Sequence, residues 1–181
     1  MPRHLLHEPT WHAAAVAYYL LHTSAEPSVQ EEARQWCEKH RLLYDSFIAQ
    51  VEEAHRAASV ALHHAWAPYS RFPVGAALLS SDGALWHGCN VECSSFGLTL
   101  CAERVALGHA VTNGRREFVL LALVTDTEAP ISPCGACRQL LHDFAPHLLI
   151  SAEGARRQQR TLWWLEELLP EPFCGKHIWK R

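Results

Sequence analysis

Apolar residues recur at helical spacing through Phe47, Ile48, Val51, Ala54, Ala58, Ala61 and Leu62, which predicts a core-facing helix from Asp45 until Trp66-Ala67-Pro68 ends the run. Val74 to Leu79 then reads as a strand, Ser81-Asp82-Gly83 as a tight turn and Leu85 to Asn90 as the returning strand of a β-hairpin. A helix is expected from about Leu100 to Ala110, and a strand over the continuous apolar run from Phe118 to Thr125. A further helix opens near Cys134 and runs through Phe144, before a strand from His147 to Ser151. Strands alternating with helices in this way imply an α/β fold layered around one sheet.

Before residue 45 the pattern changes to a segment rich in Trp, His and Ala. It reads as a helix, a break at Pro27, and a second helix beginning near Ser28 with Glu31 and Glu32 in its first turn. The apolar stretch from Ala13 to Leu21 falls far short of the roughly 20 residues a spanning helix needs, so it is expected to pack rather than insert in a membrane. Glu8, His12 and His22 surround it and only Arg3 supplies basic charge upstream, which disfavours a secretory signal. The expected organisation is a helical extension over residues 1–44, with no legible role, and a main domain over residues 45–181.

A chain of 181 residues with 49% hydrophobic and 19% charged residues suits one globular domain. Net charge is −3 with histidine neutral, and no Lys/Arg run forms a track for a phosphate backbone, so a small ligand is expected and a nucleic acid is not. The seven cysteines are odd in number.

The candidate chemistry lies in Cys101-Ala102-Glu103-Arg104 and Pro133-Cys134-Gly135-Ala136-Cys137. A Cys-x-x-Cys alone could be a redox pair, a structural zinc knuckle or two buried thiols. Opening a helix, with Pro133 at its first position, Cys134 and Cys137 can direct both sulfurs at one metal, and Cys101 supplies a third. Three protein ligands leave a fourth tetrahedral position open, as in catalytic zinc sites, and Glu103 is placed to move protons there. Three thiolates overload one Zn2+ with negative charge; helix N-termini at the cysteines and donation from Arg104 to a cysteine sulfur would offset it. A site needing three reduced thiols favours the cytoplasm.

With Pro68-Tyr69-Ser70-Arg71-Phe72-Pro73-Val74-Gly75-Ala76-Ala77, Asn90-Val91-Glu92, both cysteine segments, Arg138-Gln139, and Leu168-Leu169-Pro170 before Phe173, the chain resembles the small homotetrameric, zinc-dependent cytidine deaminases from about Phe47 to Phe173. The resemblance implies a three-layer α/β/α fold with a mixed five-stranded sheet. It also implies one Zn2+ per subunit on Cys101, Cys134 and Cys137, and active sites completed across subunit boundaries of a homotetramer. The reaction implied is hydrolysis of cytidine and deoxycytidine to uridine and deoxyuridine plus ammonia in pyrimidine salvage. In it Glu103 would protonate ring N3 and later the departing amine, and the Ala102 N–H would hold the pyrimidine edge. Asn90 and Glu92 match positions that bind ribose, the carboxylate disfavouring phosphorylated substrates. Phe72 matches the ring packed on the base, and Phe173 one lent by a neighbouring subunit. Cys93 and Phe96 depart from the family's Asn and Tyr. A modified or antibiotic aminopyrimidine nucleoside is the alternative substrate, and a non-catalytic, zinc-stabilised nucleoside-binding protein the alternative class.

Overall fold

The computed structural model describes residues 3–174. Its helices are α1 (Trp11–Thr23), α2 (Pro27–Lys39), α3 (Arg41–Leu62), α4 (Ala102–Thr112), α5 (Gly135–Phe144) and the single turn α6 (Leu165–Leu168). Five strands, β1 (Val74–Ser80), β2 (Leu85–Cys89), β3 (Phe118–Thr125), β4 (Leu149–Gly154) and β5 (Gln159–Trp164), form one sheet in the order β2-β1-β3-β4-β5. Only β3 and β4 pair in parallel; the other neighbours are antiparallel, so the sheet is mixed. The hairpin turn forms as expected, with Gly83 at φ +86°.

β3 is buried along its whole length because helices cover both faces, which explains its uninterrupted apolar sequence. On one face Ala77, Leu79, Leu120, Ala122, Val124 and Leu149 meet α3 and α1; on the other Ala76, Leu78, Leu121, Leu123 and Ile150 meet α4 and α5. The Ala13–Leu20 run of α1 is buried on every side, as its all-apolar sequence requires. Thr10 starts α1 by accepting the Ala13 N–H at 3.1 Å. Gly88 of β2 lets α4 approach the sheet more closely than any side chain would permit.

Several boundaries differ from the sequence reading. α3 begins at Arg41, so residue 45 falls inside it; its first turn is mostly solvated, with Leu42 86% exposed, and offered no apolar stripe to read. α4 starts at Ala102 because Leu100 is still extended, bridged to Val91. β5 escaped the hydrophobic pattern since its first residues, Gln159 and Arg160, are polar and lie on a sheet edge.

Candidate metal centre and active site

Two helix N-termini converge beyond the carboxyl end of β3, where a crevice opens as the chain leaves the sheet for α5. Cys101 caps α4 and Cys134 caps α5, both in extended backbone. The Cys101 carbonyl accepts the Arg104 and Val105 N–H groups at 3.0 and 3.1 Å, and the Cys134 carbonyl accepts that of Arg138 at 3.0 Å. Cys137 lies three residues on in α5 and is fully buried. Pro133 stands one residue before the cap, not at the first helical position, and its carbonyl accepts Arg138 Nε at 2.7 Å.

The Sγ atoms of Cys101, Cys134 and Cys137 lie within 4.8 Å of one another, with 3.9 Å between Cys101 and Cys134. Tetrahedral zinc with Zn–S bonds of about 2.3 Å sets sulfurs about 3.8 Å apart, so donor chemistry and spacing both fit one Zn2+. No other group of three His, Cys, Asp or Glu side chains closes this way among the described residues. Hydrogen bonding from the Cys137 thiol, and then from Arg104, pulls the Cys101 thiol down to about 5, while Cys137 is pushed up by that same bond and by burial. Arg104 Nη2 sits 3.7 Å from Cys101 Sγ and donates to the Thr99 carbonyl at 2.7 Å. Of the three cysteine sulfurs, the one Arg104 approaches is that of Cys101.

A cavity of about 210 Å³ opens beside the thiols, and Phe72, Asn90, Cys101, Ala102, Glu103 and Cys134 line it. Glu103 is 6% exposed, and burial raises its carboxyl pKa. Ala102 is the first residue of α4, so its N–H has no partner within the helix. Asn90 spends one acceptor on the Val74 N–H and one donor on the Phe72 carbonyl, both at 2.9 Å, and thereby fixes the segment that carries Phe72. One N–H and one lone pair of its amide remain for a ligand.

Glu92 and Phe173 do not line this cavity. One Glu92 oxygen accepts the Tyr69 and Ser70 N–H groups at 2.8 and 3.2 Å, and bonding from the Ser70 hydroxyl and these amides keeps the carboxylate below its usual pKa. It also holds the turn in which Arg71 adopts φ 55°, a conformation costing about 1 kcal/mol. Phe173 is 67% exposed, with its N–H and carbonyl both bonded to the Gln139 amide, at 3.0 and 2.8 Å.

The sequence reading missed Thr99, Leu123, Thr125, Ile131 and Ser132 in the cavity wall. Thr125 could have been found from the rule that ligands bind beyond the carboxyl ends of strands, and Ser132 from its place just before the second cysteine pair.

The profile described as the cytidine and deoxycytidylate deaminase zinc-binding region matches residues 48–152, more than half of the chain. The chain belongs to the cytidine and deoxycytidylate deaminase family. Among its relatives in that family, a cytidine deaminase of Sporosarcina psychrophila is 53% identical over 132 residues, spanning 71% of this chain and 94% of its own. One of Halalkalibacterium halodurans is 52% identical over 114 residues, 63% of this chain and 86% of its own. The crystal structure of cytidine deaminase from Burkholderia pseudomallei superposes with a TM-score of 0.65 at 43% identity, covering 67% of this chain and 98% of that one. The mixed five-stranded sheet between helices is this deaminase fold, and the three-cysteine cluster is its zinc site. α1 and α2 precede the residues matched to the deaminase family.

Proposed function

We propose that the protein hydrolyses cytidine and deoxycytidine to uridine and deoxyuridine, releasing ammonia. The observation that carries this reading is a buried Glu103 in the wall of the same cavity as the cysteine cluster, with Phe72 and Asn90 also lining it. Relatives of 52% and 53% identity named cytidine deaminase support it. Cys101, Cys134 and Cys137 would hold one Zn2+, which when bound makes water nucleophilic near neutral pH.

The chain's own residues do the rest. Phe72 packs on the pyrimidine, and the unpaired N–H of Ala102 orients its edge. Glu103 protonates ring N3, drawing electrons from C4, and later passes a proton to the departing amine. Burial supports this role by raising its carboxyl pKa, which favours the proton-carrying form. Asn90 reaches the ribose with its remaining amide groups. The Glu92 carboxylate, kept ionised by Ser70 and the Tyr69 and Ser70 amides, disfavours phosphorylated substrates. Arg104 offsets the charge of the three thiolates.

The same reading assigns a homotetramer with shared sites. Trp66, Tyr69, Phe96, Leu98 and Phe173 are 52–71% exposed, apolar side chains available for contact between copies of the chain. A cytoplasmic location follows from the need for three reduced thiols. No described helix is long and apolar enough to cross a membrane.

Ammonia release and the cytidine-to-uridine absorbance change, measured on zinc-loaded wild type and Glu103→Gln, test the proposal. Wild type is expected to turn over and the variant to lose at least about 10²-fold in kcat while still binding cytidine. Wild type that binds cytidine and never releases ammonia would establish a nucleoside-binding protein instead. Light scattering checks the tetramer.

A further inference from the structure

We propose that α1 is a positioning element for the active site, acting through a hydrogen bond from Tyr19 to Glu167. This rests on the deaminase reading for its kinetic consequence only. Tyr19 Oη donates to Glu167 Oε1 at 2.7 Å, and the Tyr19 ring packs on Trp164 with centroids 5.6 Å apart. The other oxygen of Glu167 accepts the Trp164 N–H at 3.0 Å, at the start of α6. One carboxylate therefore joins the extension to the first turn of the C-terminal segment.

That segment needs outside support. α6 has four residues, too few to form a stable helix alone. The Leu165 N–H bonds to the Leu148 carbonyl at 3.0 Å and the Glu166 carboxylate to His147 Nδ1 at 2.6 Å, while Tyr19 holds Glu167 and α5 holds Leu168. From α5, Arg138 Nη1 donates to the Leu168 carbonyl at 2.9 Å, while the same guanidinium donates to the Pro133 carbonyl and to Ser132 Oγ at 2.7 and 2.8 Å. Ser132 lines the cavity and Cys134 follows directly. The next residue of α5, Gln139, clamps Phe173 by its backbone. A continuous set of bonds thus runs from α1 through Glu167 and α6 to Arg138, and so to the cavity wall.

α1 is well placed to act as the fixed end. Its Ala13–Leu20 run is buried, and Tyr18 packs edge-on against Phe47 of α3 at 5.9 Å. It also precedes the stretch shared with the family, so this brace belongs to the chain's own extension. Tyr19 touches no substrate: it sets where Leu168, Phe173 and the Ser132–Pro133 turn stand.

The test is Tyr19→Phe in the full, zinc-loaded chain, which removes the hydroxyl and keeps the ring on Trp164. Amide exchange at Leu165, Leu169 and Phe173 should quicken by roughly three- to tenfold, as loss of one hydrogen bond implies, while exchange in β1 and β3 stays at the wild-type rate. KM for cytidine should rise by roughly three- to tenfold with kcat held within about twofold. Thr10→Ala, which removes the cap at the opposite end of α1, should lower Tm without raising KM. Wild-type exchange at the three amides in Tyr19→Phe overturns the proposal. So does Thr10→Ala raising KM as much as Tyr19→Phe, since α1 would then matter for stability alone. If wild type deaminates no cytidine, the substrate reading fails and the exchange measurement still decides the brace.

Discussion

Gly88→Ala tests how tightly the sheet sets the position of α4, the helix that carries Glu103. A Cβ at Gly88 would stand 2.5 Å from the Ala106 nitrogen, 2.9 Å from the Ala102 carbonyl oxygen and 2.9 Å from the Val105 carbonyl carbon. All three are backbone atoms of α4, so no side chain can rotate away. Ordinary contact begins at 3.4 Å, and α4 must therefore move about 0.9 Å from β2. The helix carries Glu103 in its first turn and Cys101 at its cap, whereas Cys134 and Cys137 stand on α5 and do not move with it. A misplacement near 1 Å costs about 10²-fold in rate, and overpacking of this kind costs about 1–3 kcal/mol in stability. Gly108→Ala supplies the control: the same change on the same helix, where an added Cβ meets nothing within 4 Å, should stabilise by about 0.5–1 kcal/mol with activity retained. The assay pairs kcat/KM from ammonia release with zinc retention against a chelator and thermal unfolding. Gly88→Ala with wild-type zinc retention and wild-type kcat/KM would refute the close-approach reasoning.

Arg104→Gln should weaken zinc retention by about tenfold or more in chelator competition, because the charge 3.7 Å from Cys101 Sγ is removed; unchanged retention would retire the charge-offset role. Asn90→Ala leaves the Val74 N–H and the Phe72 carbonyl unpaired, so it should cost about 1–3 kcal/mol in denaturant unfolding as well as raise KM. His55, 4% exposed and bonded to Ser151 Oγ at 2.8 Å, has its pKa lowered to about 4, chiefly by burial and then by Arg160. A folded-state pKa below the unfolded value of 6.5 means the unfolded chain takes up the proton first, so stability present above 6.5 is lost as pH falls toward 4. The loss should approach about 3 kcal/mol in wild type, and denaturant titrations of His55→Gln should lack that portion of the pH dependence.

The chemistry was written locally in the chain. Two short segments carry all three sulfurs, the acid and the arginine, because ligands at a helix start need only a turn of sequence to converge. The hairpin, the buried central strand and the core-facing helix were equally legible, since each repeats its own period of apolar residues. β5 and α6 were not, because a partly solvated edge strand and a single helical turn have too few buried positions to set a pattern. The role of residues 1–44 was invisible for another reason: the apolar run of α1 announces burial but not against what.

By itself, the sequence singled out the three sulfurs that can hold a metal and the carboxyl proposed to move a proton. Only the tertiary structure decided that Cys101 stands 3.9 Å from Cys134 across 33 residues of chain. It alone joined Thr125, Ile131 and Ser132 to Phe72 around one cavity, and set Tyr19 against Glu167 across 148 residues. Ligand identity depends on residue type, which is local; these distances depend on how helices close over both faces of a sheet, where packing among residues remote in sequence fixes every position at once.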